Sequence, residues 1–214
     1  MLRHPAPPPG WLEAAAGVKE ILKRPMLLRW IAQHLQAPPH LRNRLLPTLP
    51  WRALAAIAGD ASAHPQARAH ATERLLAQWA VMTTGERRSL APLAPNPLWP
   101  AIWKVRNVGV LSAFLQNPRL TTEWLERLIL PELTTMQAEA LQNSRWRDVV
   151  PVAHQVLAAL DRGLAKPESG LMLGLAATWI LALPAEERLL ASTRVTHPAL
   201  RRMLRRHAGP ADQD

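Results

Sequence analysis

Proline limits what this chain can fold into more than any other residue. There are 21 of them in 214 positions, set between stretches rich in Leu and Ala. Leu and Ala favour helix, and Val, Ile and Thr are sparse beside them. Inside a helix, proline removes a hydrogen bond and clashes with the turn before it; at the first helical position it does neither harm. The prolines therefore mark helix starts and corners, and the helices between them are many and short. A helix of two to four turns is marginal alone in water, so each needs neighbours.

The clearest such piece is LSAFLQNPRLTTEWLERLIL, residues 111–130. Val108, Leu111, Phe114 and Leu115 recur at helical spacing. Asn117 is expected in the left-handed conformation that closes a helix, and Pro118 cannot continue it. Thr121 offers a hydroxyl to the free N–H groups of the next helix, whose apolar stripe is Trp124, Leu125, Leu128 and Ile129.

Other corners follow along the chain. Residues 1–10, MLRHPAPPPG, read as a disordered Pro-rich arm and 208–214 as a disordered tail. Between them, 11–207 reads as a single helical-repeat domain, with 163–169 as its candidate hinge. Trp11 to Arg24 is expected as one helix ended by Pro25. Thr83 and Glu86 form a capping box, as do Thr134 and Gln137. His64-Pro65 and His197-Pro198 each open a helix, the first with Ala67, Ala71, Leu75 and Trp79 as its buried stripe. Val149, Val152, Val156, Leu157 and Leu160 mark a longer helix, and 171–183 is a strongly apolar one.

Two stretches repeat an order of parts. From Leu45 and again from Trp179 the chain reads apolar run, Leu-Pro, short helix, polar loop, His-Pro, amphipathic helix. Leu130-Pro131 begins a weaker third copy. Degenerate helix–turn–helix units without a strict period predict an all-α, right-handed α-solenoid of about 10–14 short helices, set against a plain irregular helical bundle. FLQNPRLTTEWLERLI resembles the units of leucine-rich-repeat-variant and HEAT-like proteins. The order WRALAAIAGD, HPQARAHATERLL, TTGERRSLAPLAP, LSAFLQNPRLTTEWLERLI, SRWRD is similar to a group of uncharacterised bacterial HEAT-like proteins over about residues 38–160. The resemblance implies a scaffold of helical repeats and brings no activity with it.

The chemistry-bearing residues are few. There is no Cys, which excludes disulfides, thiolate metal sites and a cysteine nucleophile. No HExxH, GxSxG or phosphate-binding glycine loop occurs, and nothing points to a cofactor. The start of the chain has no signal-peptide pattern and no apolar run reaches membrane-spanning length, so a cytoplasmic protein with no membrane span is expected. His154 lies beside an apolar stripe and reads as a satisfied core histidine.

Charge gives the sharper lead. The net charge is +10, and 22 of the 26 basic residues are Arg. Such a balance suits nucleic acid or another polyanion, although Arg, Ala, Leu and Pro together also mark a high-GC coding sequence. Arg201, Arg202, Arg205 and Arg206 fall on one side of the last helix, with Arg194 close in sequence. They form a candidate anion or nucleic-acid patch, set against a basic helix end that the dipole alone would favour. Trp99 and Trp103, beside Lys104 and Arg106, could stack bases, but core packing is the expected use. Gly170, Gly174 and Ala177 place small residues on one face of the apolar helix, a candidate docking face for a partner. Asn117, Pro118, Thr121, Thr83 and Glu86 are expected to set corners and caps.

Two functions follow as expectations. One is a non-enzymatic scaffold mediating protein–protein interaction. The other is a basic HEAT-like nucleic-acid-binding protein. The HEAT-like DNA alkylation-repair glycosylases, also basic and Trp-containing, make the second worth weighing, but this chain lacks their paired-Trp and Asp pattern.

Overall fold

The computed structural model describes residues 6–129, 133–164 and 170–209, without the side chains at 164 and 170–172. Residues 1–5 of the Pro-rich arm, the Leu130-Pro131 corner, most of the candidate hinge and the tail from 210 lie outside the described residues. Among the described residues the fold is all helical, with fifteen α-helices, three short 3-10 turns and no strand.

The first helices are α1 (Trp11–Gly17), α2 (Lys19–Leu22), α3 (Pro25–Gln33), α4 (Pro39–Leu45) and α5 (Trp51–Gly59). Then come α6 (Pro65–Trp79), α7 (Thr84–Leu90) and α8 (Trp99–Trp103). The second half has α9 (Val108–Leu115), α10 (Thr122–Ile129), α11 (Thr135–Gln142) and α12 (Val150–Leu164). It ends with α13 (Gly170–Ala182), α14 (Ala185–Arg194) and α15 (Pro198–His207). The count exceeds the expected ten to fourteen partly because the helix predicted over Trp11–Arg24 is two. Gly17 and Val18 are weak helix formers, and Val18 is extended (φ −77°, ψ 122°) with its N–H on Ala15 O.

Proline does what its chemistry requires. Pro25, Pro39, Pro65 and Pro198 stand in the first helical positions of α3, α4, α6 and α15. Pro38, Pro50 and Pro184 are extended residues just before a helix. The Leu-Pro and His-Pro positions coincide in detail. Pro50 precedes α5 and Pro184 precedes α14; His64 precedes α6 and His197 precedes α15.

The chain divides into two compact units, residues 1–101 and 102–214. In the first, α5 packs along α6, and α3 rests on α1, α4 and α5. Its core includes Leu28, Ile31, Leu41, Leu54, Ile57 and Leu75. In the second, alternate helices pack in a row: α9 on α11, α11 on α13, α13 on α15, while α10 packs on α12 and α14 on α15. Its core includes Leu111, Phe114, Leu125, Val156, Trp179 and Leu204.

The stripes expected from spacing are buried. Ala67, Ala71, Leu75 and Trp79 are, and so are Val152, Val156, Leu157 and Leu160, with Val149 half-buried. Trp99 and Trp103 are core residues, the first with its indole N–H on Ala94 O at 2.9 Å. Base stacking by this pair is therefore ruled out.

Candidate functional site

The basic helix α15 is amphipathic. Leu200 and Leu204 are buried one turn apart, and this fixes Arg201, Arg202, Arg205 and Arg206 outward. The four arginines are not equivalent. Arg201 donates from Nε and Nη2 to Val195 O, at 3.3 and 2.8 Å, and so covers the carbonyl that ends α14. Arg202, Arg205 and Arg206 are exposed and make no hydrogen bond or ion pair among the described residues.

Arg194 is part of a further feature. It is the last residue of α14 and lines a groove of about 350 Å³ between α14 and α12. From α12 the groove takes His154, Gln155, Leu157, Ala158, Asp161 and Arg162, which share one helical face. From α14 and the turn after it come Ala191, Val195 and Thr196. Ala158 and Ala191, small residues on facing helices, leave the space open.

Two polar links fix its ends. His154 Nε2 meets Glu187 Oε2 at 2.7 Å, joining α12 to α14. The histidine is half-buried and paired, so the expectation of a satisfied histidine beside the core holds. Asp161 is buried and its carboxylate holds the turn before α15. It accepts from Thr196 N–H at 2.8 Å, from the Thr196 hydroxyl at 2.7 Å and from His197 N–H at 2.7 Å. Burial pushes this carboxyl up, but the hydrogen bonds from Thr196 and His197 outweigh it and leave the pKa below the usual Asp value.

The corner and cap residues stand as follows. The Thr83 hydroxyl accepts from Glu86 N–H at 3.3 Å, and Glu86 accepts from Thr83 N–H at 2.9 Å, a complete capping box. That bond from the Thr83 backbone is the main reason the Glu86 carboxyl is lowered. Thr121 caps α10, its hydroxyl 3.4 Å from Trp124 N. Pro118 is exposed in the turn before it.

Asn117 departs from expectation. No non-Gly residue among those described has positive φ, so it does not take the left-handed conformation. Instead its side-chain oxygen accepts from Arg119 N–H at 3.0 Å, a local turn that closes α9 without a backbone reversal. Its own carbonyl is taken by Arg145 Nη2 at 3.1 Å.

In the candidate docking face, Gly174 is exposed, with open space where a Cβ would stand, and Ala177 is half-buried. The surroundings of Gly170 lie outside the described residues.

Sequence reasoning missed what many arginines do. Short helices leave many C-terminal carbonyls without partners. Arg87 donates to Trp79 O and Ala80 O, at 3.1 and 2.9 Å, with its guanidinium 5.3 Å from the centre of the Trp79 ring. Arg188 does the same at Ile180 O and Leu181 O, at 2.9 and 3.1 Å, and adds His207 O at 2.6 Å. Arg42, buried, holds Ala37 O and Gln66. Arg42 ties the loop before α4 to α6, while Arg87, Arg188, Arg145 and Arg201 act as clasps on carbonyls at or just past the ends of helices. The available signal was Glu-Arg at the third and fourth helical positions after a capping Thr or Pro, in α7 and α14 alike.

Among the described residues no group of three His, Asp or Glu side chains is placed to hold a metal, and no helix is long and apolar enough to cross a membrane. No family model matches the chain, and neither the curated proteins nor the solved structures compared with it give a match.

Proposed function

We propose that this chain is a non-enzymatic helical-repeat scaffold, an α-solenoid of HEAT-like units that presents its surface to a protein partner. The observation that carries the reading is the row α9, α11, α13, α15, in which each helix packs on the next but one. Stacked helix pairs produce that order, because every unit buries its apolar face on its neighbour.

A second observation supports it. Residues 79–91 and 180–192 have the same burial at every position but one, Val81 being exposed and Ala182 half-buried. Both stretches place a clasping arginine at the same point. On this reading the two stretches are copies of one unit with different side chains facing out. Leu181, Leu189 and Leu190 are 55%, 49% and 43% exposed, at the end of α13 and on α14. Taken together as one surface, Leu189 and Leu190 being neighbours on α14 and Leu181 four residues before its start, they suit an apolar partner. The test is affinity capture by the wild type and by a Leu181→Ser, Leu189→Ser, Leu190→Ser variant. A partner held by the first and lost from the second is expected. Recovery of the same set by both would remove these leucines from the interface, and no specific partner at all would sink the scaffold reading.

The second reading is a basic HEAT-like nucleic-acid-binding protein. Arg202, Arg205 and Arg206, exposed and without partners on one side of α15, favour it. A mobility shift with duplex and single strands at two salt concentrations tests it. The electrostatic part of binding is strongest at low salt, so no shift there excludes nucleic acid. If binding occurs, changing the three arginines to Gln lowers the salt slope by about 2–3, at roughly 0.9 for each phosphate no longer neutralised.

A further inference from the structure

We propose that the groove between α12 and α14 is a binding site for a small organic monocarboxylate with a short apolar tail, its carboxylate held at the end formed by Arg162 and Arg194. The inference stands apart from the scaffold reading and from the nucleic-acid patch on α15.

Shape comes first. About 350 Å³ lies at the small end of ligand pockets, which run from roughly 300 to 1,000 Å³. Ala158 and Ala191 keep the middle open, and Leu157 and Val195 add apolar wall there. A tail of a few methylenes fits such a lining, each buried CH₂ being worth about 0.8 kcal/mol.

Charge then sets the direction. His154 and Arg162 stand eight residues apart on α12, about 12 Å along the helix axis at 1.5 Å per residue. One end of the groove therefore carries the His154–Glu187 hydrogen bond. The other carries Arg162 and Arg194, both lining the groove, Arg162 with a further interaction of its own. Arg194 makes no hydrogen bond or ion pair among the described residues, so its donors are available to a ligand. Guanidinium presents parallel N–H donors at the spacing of carboxylate oxygens. Asp161 also faces the groove, but its two oxygens already accept three hydrogen bonds from Thr196 and His197.

The groove favours a monoanion over phosphate. Phosphate sites use helix N-termini and converging backbone N–H groups. Here α14 ends at Arg194 with carbonyls that bear partial negative charge, and the Thr196 and His197 N–H groups leading into α15 are already taken by Asp161. That field penalises a dianion more than a carboxylate.

The experiment is a titration of the full chain, followed by backbone NMR, with sodium hexanoate, sodium acetate and inorganic phosphate at constant ionic strength. Hexanoate is expected to give saturable shifts at Ala158, Ala191, Val195 and Thr196. Acetate should bind at least tenfold more weakly and phosphate should give no saturable shift there. Arg194→Gln, at an exposed position, should weaken hexanoate at least tenfold while the thermal midpoint stays put. Ala158→Leu, at a half-buried position, should fill the groove and abolish the shifts. The proposal is overturned if hexanoate gives no saturable shift, if phosphate binds as tightly as hexanoate, or if both variants bind hexanoate as the wild type does.

Discussion

Asn117 and Asp161 show how a single polar side chain fixes a corner here. Asn117 is 1% exposed and closes α9 through the bond to Arg119 N–H, with φ outside the left-handed region. Glycine gains nothing at such a position and loses more entropy on folding than alanine. Asn117→Gly should therefore be less stable than Asn117→Ala by several tenths of a kcal/mol, and both less stable than wild type, in urea unfolding. A glycine variant as stable as the asparagine would mean the left-handed corner after all. Asp161 makes a pH prediction. Its folded pKa is lowered, so folding favours the charged form. The stability it contributes is complete above the ordinary Asp value and is lost as pH falls through the lower folded value. Asp161→Asn should lower the thermal midpoint at pH 7, and the gap to wild type should narrow as the pH drops below about 4. A gap that stays constant down to pH 2 would show the carboxylate charge to be irrelevant.

At the level of elements, the short helices are held as much by what meets their ends as by their stripes. Arg188 serves three carbonyls from two helices and Arg87 serves two. Hydrogen bonds involving a charged group contribute about 1.5–3 kcal/mol net when buried. These guanidiniums are half-buried, so Arg188→Ala should cost about 1–2 kcal/mol, Arg87→Ala somewhat less, and Arg188→Lys should recover little because an ammonium lacks the planar fork. Thr83→Ala should cost about 1 kcal/mol through its capping box. Urea midpoints at constant slope measure all four. The stripes and caps were legible because they are local: spacing located Ala67 to Trp79, and Thr83 with Glu86 announced a helix start. The clasps were not legible, since composition counts an arginine as charge and does not say which carbonyl it will meet. Nor was the α12–α14 groove, whose Asp161–Thr196 link spans 35 residues. The facing of Ala158 and Ala191 exists only once the helices have packed. Arg194, grouped with the α15 arginines for its nearness in sequence, also lines this groove, which sequence alone did not announce.

For the whole molecule, these clasps change what a net charge of +10 means. A protein stabilised by surface ion pairs loses part of that stability as salt screens them. Here several arginines spread over both units bond neutral carbonyls, which salt screens little, while the excess positive charge repels itself. Raising NaCl from 50 to 500 mM should therefore raise the thermal midpoint, by about 2–4 °C if screening recovers roughly 1 kcal/mol in a chain of this size. Arg202, Arg205 and Arg206 add to the repulsion without bonding any carbonyl among the described residues. Changing all three to Gln removes three of the ten net charges, so the variant should start with a higher midpoint at 50 mM and gain less from salt. A midpoint that falls with salt in the wild type would show that ion pairs dominate, and the clasp account of the arginines would fail. If instead the variant is the more stable protein, the patch is kept at a cost in stability. Stability then cannot be the reason for those three residues, and a bound anionic partner becomes the remaining physical reason to have them on one side of α15.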